Sequence, residues 1–308
     1  MMKFFLSILF GLTINACSSP LPKGVQTIEF SFAALQNANF PKKEAALIKA
    51  LERRFEAYYP QPVKIQKLGK NQFEIKVPGL IDESMISALV ETPGRLFFAE
   101  TSAGKAASQS FRLAGLEEKL AGKLNMEANH FQENSPIIGY AFPRDTARIS
   151  NAIAEAERLG IIKSDLTIAW GQVPMISGGE NANMLELYAI RQSDGQYQGL
   201  RGDMITEVKT EPDQTGKWAI LLSFDDAGSE AWAEMTEDRV SDFIAMLIDG
   251  KAWSVPRVQS SITGGKTMIS GRWEEDEAKL WTAIMSSPLP ENIQLTKLSF
   301  DPEAVFEP

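Results

Sequence analysis

The chain contains one glycine-rich motif, Gly264-Gly265-Lys266-Thr267, that could form part of a phosphate-binding loop. Such a loop requires a further glycine five residues before the glycine that precedes the lysine, and Ser260 stands at that position. It also requires a helix after the threonine, whereas the following Met-Ile-Ser-Gly is typical of a strand. The two glycines therefore predict a hairpin turn rather than a nucleotide site.

Histidine and cysteine each occur once, as His130 and Cys17. A Ser–His–acid triad would have to be built on His130, which lies in polar sequence of little pattern and is expected in a loop. Metal sites of the usual His/Cys type cannot be assembled from one histidine and one cysteine. We therefore expect no metal, no cofactor and no enzymatic activity.

Acidic residues cluster at Asp225-Asp226 and at 274–277. The first pair follows a predicted strand and precedes a predicted helix, and the second cluster begins a helix, where negative charge complements the helix dipole. Both positions favour helix starts. A pair of carboxylates for glycoside hydrolysis is defined by its separation in space, so the sequence leaves that alternative open.

Apolar and aromatic side chains near the predicted hairpins are the remaining candidates for function. They are Phe243, Met246, Trp253, Pro256 and Met268. Such residues usually belong to a core, but methionine and tryptophan beside a sheet edge can also line an adaptable groove for extended polypeptide. We treat these five as a candidate site for polypeptide or a partner protein, with a core role as the alternative.

The amino terminus has the pattern of a secretory signal. Lys3 precedes an apolar run from Phe4 to Ile14, which as a helix would reach about 16 Å against a hydrocarbon core of about 30 Å. Ile14-Asn-Ala-Cys17 resembles the bacterial lipoprotein box, which implies cleavage before Cys17 and acylation of that residue, for example with palmitate. An ordinary signal peptide with a chance cysteine is the alternative. Ser18 resembles the sorting signal for the outer membrane, so we expect a lipid anchor at the periplasmic side of the envelope, in the outer rather than the inner membrane.

The composition limits the classes of partner that the protein is expected to bind. The 308 residues carry a net charge of −9 at pH 7, which argues against nucleic acid or an anionic lipid surface as the main partner. A hydrophobic content of 44% is enough to bury a core, organised in two subdomains. No segment after the signal approaches about 18 consecutive apolar residues, so we expect the mature chain to be tethered to a membrane without spanning it.

The first third of the chain predicts a ferredoxin-like arrangement. A strand at 27–33 and an amphipathic helix at 42–59 are followed by a hairpin at 63–79. Asp82 can cap a second helix, and 95–100 is expected to be a strand. The order strand–helix–strand–strand–helix–strand is the split βαβ unit, an antiparallel sheet with helices on one face.

The segment from Ile248 to Gly271 predicts a β-meander. Asp249-Gly250 is a strong hairpin signal, and Gly264-Gly265 is a second one. Pro256 lies between them and is expected at an edge or a bulge, because proline cannot donate to a strand ladder. A helix at 274–286 and a strand at 292–300 close the pattern.

The segment from 218 to 290 resembles the first periplasmic domain of the SecD/SecDF family, the auxiliary subunit of the Sec translocon. Residues 53–82 resemble its amino-terminal part, and the resemblance extends from Gln26 to Phe300. The chain departs from the family pattern in having Cys17 and a short tether in place of the first transmembrane helix, and in lacking the family's other transmembrane helices. The residues that carry the resemblance are Gly228, Trp232, 235–236, 248–251, Ser254, Pro256, 262–265, 269–271 and 289–290.

The resemblance implies an α+β fold, in which a ferredoxin-like base carries an inserted α+β head that contains the β-meander. The base would comprise 27–105 and 274–305, and the head 106–273 with a SecD-like core at 204–273. A signal peptide at 1–16 and a tether at 17–26 would precede them.

The resemblance also implies a role beside protein export. We expect a membrane-anchored lipoprotein that passively binds unfolded or secreted polypeptide, or a Sec translocon or envelope partner. The alternative is a structural subunit of an envelope complex that binds no client.

Overall fold

The computed structural model of the protein describes residues 21–32, 40–126, 134–162, 165–172 and 183–307. Cys17, His130 and the expected signal peptide lie outside the described residues. No helix in these ranges is both long and apolar enough to cross a bilayer. The helices are α1 Phe40–Tyr58, α2 Glu83–Glu91, α3 Gly104–Leu113, α4 Leu116–Lys119, α5 Thr146–Arg158, α6 Asp226–Asp238 and α7 Glu275–Ser286. The strands are β1 Val25–Phe32, β2 Lys64–Gly69, β3 Gln72–Pro78, β4 Leu96–Glu100, β5 Ile137–Ala141, β6 Leu166–Trp170, β7 Leu185–Ser193, β8 Gln196–Tyr197, β9 Gly199–Arg201, β10 Ile205–Pro212, β11 Trp218–Phe224, β12 Ile244–Ile248, β13 Lys251–Ser254, β14 Lys266–Trp273 and β15 Ile293–Asp301.

One antiparallel sheet has the strand order β15-β1-β3-β2, and we call it the base sheet. Alternation along its strands buries Ile28, Phe30, Phe73 and Ile75 in a core shared with α1, α2 and α7. Helix α2 begins as predicted, with the Asp82 carboxylate accepting the Ser84 N–H at 2.9 Å. The α+β class predicted from the sequence is confirmed.

Strand β4, expected as the fourth strand of the base sheet, lies in another sheet, so its predicted place is wrong. It pairs with β12 on one side and with β9 on the other. Leu96, Phe98 and Ala99 are buried, and apolar residues on both faces suit a central strand. Strand β15, from the far end of the sequence, pairs with β1 at the edge where β4 was expected.

Three further sheets lie outside the base sheet in the described part of the chain. Their strand orders are β10-β11-β14, then β13-β12-β4-β9, and β5-β7-β6 with β8 paired to β7. Ile220, Leu222 and Ile269 from the first meet Phe98 and Ile244 from the second in one core. The third sheet packs with α3, α4 and α5 around a separate core.

The turn at Asp249-Gly250 forms as predicted, but the β-meander does not. Asp249 and Gly250 have φ angles of +52° and +78°, and they join β12 to β13 in an antiparallel hairpin. Strand β13 ends at Ser254, and β14 pairs with β11 in a different sheet. Because Pro256 has no N–H to donate, the regular ladder stops before it, and the segment 255–265 crosses from one sheet to another.

Helix α7 belongs to two cores at once. Leu280, Ala283 and Ile284 pack into the core under the base sheet. Ala278 and Met285, on the same helix, pack into the core formed with β11, β12 and β14. The helix therefore joins the base sheet to the remainder of the protein through side-chain packing.

The buried side chain of Arg54 strengthens the same junction. Its guanidinium donates to the carbonyl oxygens of Leu89 and Thr92 at 2.7 Å, where α2 ends, and to that of Ser287 at 2.8 Å, where α7 ends. Burial lowers the pKa of Arg54 to about 9, an effect that the negative charge of Asp249 partly offsets. At neutral pH a cation therefore faces two helix C-termini, whose dipoles are negative there.

Candidate polypeptide-binding groove

A cavity of about 380 Å³ lies between β14 and the segment 254–262, and we call it the head groove. Its apolar surface comes from elements that are distant in the sequence, since Phe98 lies on β4, Trp232 on α6, and Ile244 on β12. Pro256 and Met268 line it from opposite walls. The groove therefore exists only because β4, β12 and α6 converge beneath β14.

Trp232 anchors the aromatic floor of the groove. Its ring centroid lies 4.7 Å from that of Phe98 and 5.6 Å from that of Phe224. Although Trp232 is buried, its Nε1–H has no hydrogen-bond partner among the described residues. A buried donor without an acceptor is costly, and such groups are uncommon in folded proteins. The N–H of Trp232 therefore lies inside the core, and the floor of the groove offers apolar contact.

The wall opposite β14 is irregular but firmly held. The Thr236 hydroxyl accepts the Ile262 N–H at 2.9 Å, and the Val258 N–H donates to the Asp242 carbonyl at 2.8 Å. The Pro256 carbonyl accepts the Ile244 N–H at 3.3 Å. These bonds satisfy backbone groups of 255–262 from below, so the wall keeps its shape without regular strand pairing.

Arg257 is the one charged residue that lines the groove among the described residues. Its Nε–H donates to the Ser241 carbonyl at 2.8 Å, which fixes the guanidinium at the rim. The lining otherwise consists of apolar residues, serine, threonine and glutamine. Such a surface can bind by apolar contact and hydrogen bonding.

The structure separates the five residues predicted from the sequence. Phe243 and Met246 are buried, with 7% and 3% of their surface exposed, and both belong to the interior. Trp253 is half-buried, and its ring centroid lies 3.8 Å from that of Trp281 in an edge-to-face contact. Pro256 is exposed, and Met268 has 43% of its surface exposed. The described geometry therefore brings only Pro256 and Met268 together at an open surface.

Sequence reasoning did not identify Phe98, Ile244 and Arg257 as groove residues. Phe98 and Ile244 reach the groove through the pairing of β4 with β12, which no local pattern specifies. Arg257 follows Pro256, and a proline that interrupts a strand is a signal that the next residues leave the ladder. That signal could have predicted an irregular wall.

Among the described residues, no group of three or more His, Cys, Asp or Glu side chains could hold a metal ion. Asp225 caps α6 by accepting the Gly228 N–H at 2.7 Å, as expected for a helix start. A second cavity, of about 430 Å³, lies beside α5 and β6 and contains Glu157, whose pKa is raised by burial. The head groove remains the cavity that contains predicted site residues.

Comparison with known proteins identifies relatives for this architecture. Residues 191–290 match the family model of the SecDF P1 head subdomain. The SecD translocase subunit of Rhodothermus marinus is 21% identical over 282 residues, which cover 80% of this chain and 45% of that protein. SecD of Sebaldella termitidis is 34% identical over 111 residues, covering 35% of this chain and 27% of that protein.

A solved structure shares the fold. The crystal structure of SecDF in a super-membrane-facing form aligns with a TM-score of 0.52 at 18% identity, covering 92% of this chain and 32% of that one. The chain spans less than half the length of these relatives. The resemblance predicted from the sequence is confirmed: the chain resembles the SecD/SecDF periplasmic domain, and its residues 191–290 match the P1 head subdomain.

Proposed function

We propose that the protein is a membrane-anchored, SecD periplasmic-domain-like lipoprotein that passively binds polypeptide, or a translocon or envelope partner, as an accessory to protein export. The observation that carries this proposal is the head groove, an apolar cavity with Pro256 and Met268 on its open walls. Similarity to SecD translocase subunits supports a role near protein export.

The chemistry of the groove suits polypeptide of varied sequence. Methionine has an unbranched, polarisable side chain that adapts to different apolar partners, and Met268 is 43% exposed. Trp232 and Phe98 form a rigid aromatic floor, with their ring centroids 4.7 Å apart. Apolar contact with few fixed polar groups favours tolerant binding over recognition of one sequence.

The direct test measures binding of a permanently unfolded polypeptide, such as reduced and carboxymethylated α-lactalbumin, to the purified chain. Met268→Ser should weaken binding by about tenfold, because a central apolar contact is worth about 1.4 kcal/mol. Leu113→Ser is the matched control, since Leu113 is 83% exposed on α3 and does not line the groove. Equal binding by both variants and the parent would overturn the proposed site.

The lipid anchor is a separate part of the proposal and depends on Cys17, which lies outside the described residues. Two or three acyl chains would hold the protein durably, since each buried methylene contributes about 0.8 kcal/mol. Cys17→Ala should move the protein from the membrane fraction to the soluble fraction. Separation of inner and outer membranes then tests the outer-membrane preference suggested by Ser18. A Cys17→Ala protein that still sediments with membranes would contradict the anchor.

A structural subunit without client binding is the second candidate function. The burial of Phe243 and Met246 favours it, because it reduces the apolar surface available to a client. Cross-linking in cells followed by mass spectrometry separates the two. A scaffold should yield one stoichiometric envelope protein regardless of Met268→Ser, whereas a client-binding protein should yield many secreted chains and lose them in that variant.

A further inference from the structure

Strand β14 is an edge strand with one open side. In the sheet order β10-β11-β14, it pairs with β11 alone, and its other edge has no strand partner among the described residues. The strand runs from Lys266 to Trp273, which is longer than most edge strands that proteins leave uncovered. Its open side faces the head groove, because residues 267–270 line that cavity.

The register identifies which backbone groups point outward. The Phe224 N–H donates to the Gly265 carbonyl at 2.9 Å, so Phe224 and Gly265 form a hydrogen-bonded pair. Antiparallel ladders alternate hydrogen-bonded and non-hydrogen-bonded pairs. Leu221 faces Met268, and Ala219 faces Ser270, in the alternate, non-hydrogen-bonded positions. The N–H and C=O groups of Met268 and Ser270 therefore point away from β11, towards the open edge.

The opposite wall, formed by residues 255–262, has few free backbone groups that could bond to the open edge of β14. Pro256 has no N–H, and its carbonyl already accepts from Ile244. The Val258 N–H is likewise occupied by the Asp242 carbonyl. An extended chain entering the groove would thus find its free hydrogen-bonding partners on the β14 side.

The charge of the groove limits what can enter. The chain as a whole has a net charge of −9, yet the described lining contains Arg257 and no acidic residue. Lys266, at the start of β14, adds an exposed cation next to the same edge. This local positive charge attracts an acidic segment, accepts a neutral one and disfavours a cationic one.

We propose that β14 receives an extended, neutral or acidic segment of a partner polypeptide as an additional strand. The segment pairs with the N–H and C=O groups of Met268 and Ser270, while its apolar side chains enter the head groove. This strand addition rests on the proposed function and specifies how the groove holds a polypeptide. Main-chain hydrogen bonds supply affinity that does not depend on sequence, and the groove and its cations supply selectivity.

The first experiment measures amide hydrogen exchange by NMR on the full chain, with a short peptide of alternating valine and threonine flanked by glutamates. Strand addition should slow exchange at Met268 and Ser270, whereas Thr267 and Ile269 already pair with β11 and should change little. The same peptide flanked by lysines should bind more weakly. Protection that rises with protein concentration alone would mean that a second copy occupies the edge, and would overturn the proposal.

The second experiment removes the main-chain bonds from the ligand. A version of the peptide that is N-methylated at every residue keeps the side chains but cannot donate, and it should bind at least about tenfold more weakly. Equal binding of both peptides would overturn strand addition while leaving groove binding intact. If neither peptide nor unfolded α-lactalbumin binds, the proposed function itself fails.

A protein variant gives an independent check. Met268→Pro removes the outward N–H, and Met268→Ala removes the side chain alone. Proline is tolerated at edge strands where its missing N–H faces outward, so both variants should fold. Binding of the parent peptide should be weaker in Met268→Pro than in Met268→Ala, and the reverse order would contradict strand addition.

Discussion

The carboxylate of Asp249 accepts a hydrogen bond from the backbone N–H of Gly94 at 2.9 Å, and a second from the N–H of Arg95 at 3.0 Å. The hairpin turn between β12 and β13 is thereby attached to the segment that leaves α2. Gly94 has a φ angle of +79°, and a Cβ atom on it would lie 2.7 Å from the Ile284 carbonyl oxygen. This contact places α2, α7 and the hairpin within a few ångströms of one another.

Gly94→Ala should reduce the free energy of unfolding by about 3 kcal/mol, because the new methyl group meets backbone and the φ angle is unfavourable. Gly216→Ala is the matched control, since Gly216 has a φ angle of +80° and open space around it. The control should lose only about 1 to 2 kcal/mol. Urea denaturation measures both, and equal losses would show that the close approach costs nothing.

Arg54→Met should destabilise the protein by about 3 kcal/mol or more, because it leaves the carbonyls of Leu89, Thr92 and Ser287 buried without their donor. The neighbouring Arg53 is exposed on the same helix, and Arg53→Met should change the free energy of unfolding by less than about 0.5 kcal/mol. Similar losses in the two variants would mean that the buried guanidinium does not hold the junction.

Tyr188 should make the protein sensitive to alkaline pH. Burial, and then the negative charge of Glu186, raise the pKa of Tyr188 well above its ordinary value of 10. The unfolded chain therefore loses this proton at a lower pH than the folded chain, so the contribution of Tyr188 to stability is complete below about pH 10 and falls as the pH rises further. Above that pH, the parent should lose stability more steeply than Tyr188→Phe, by up to about 1.4 kcal/mol per pH unit. Parallel curves for the two proteins would contradict this burial effect.

Truncation to alanine should lower the free energy of unfolding at Phe243 but leave it nearly unchanged at Met268. Phe243 is buried, so Phe243→Ala should cost about 3 kcal/mol of stability. Met268 is exposed, so Met268→Ala should leave stability within about 0.5 kcal/mol of the parent. Thermal denaturation compares the two, and a large loss for Met268→Ala would place that side chain in the core instead of at the groove.

Local features of the fold could be predicted from the sequence wherever one residue or one turn decides them. Asp82 caps α2, and Asp249-Gly250 closes a hairpin, because both depend on backbone geometry over a few residues. The amphipathic pattern of 42–59 similarly predicted α1, whose buried face carries Leu47, Leu51 and Phe55. These elements carry their own signals.

The pairing of the strands could not be predicted from such local patterns. Strand β4 reads as a strand in isolation, but its pairing with β12 and β9 depends on contacts between residues far apart in the sequence. The same holds for β14, which follows Gly264-Gly265 closely yet pairs with β11. Because the head groove is bounded by these pairings, the sequence could name Pro256 and Met268 but not Phe98 and Ile244 beneath them.

Helix α7 has a further consequence for how the protein melts. Since Leu280 and Ile284 complete the core of the base sheet while Ala278 and Met285 complete the other, neither core can come apart without exposing one side of the same helix. Unfolding of one region therefore removes support from the other, and the two should lose structure in a single calorimetric transition. A polar substitution at Ala283, which is fully buried in the core of the base sheet, should therefore also weaken the packing of Ala278 and Met285 on the other side of the helix.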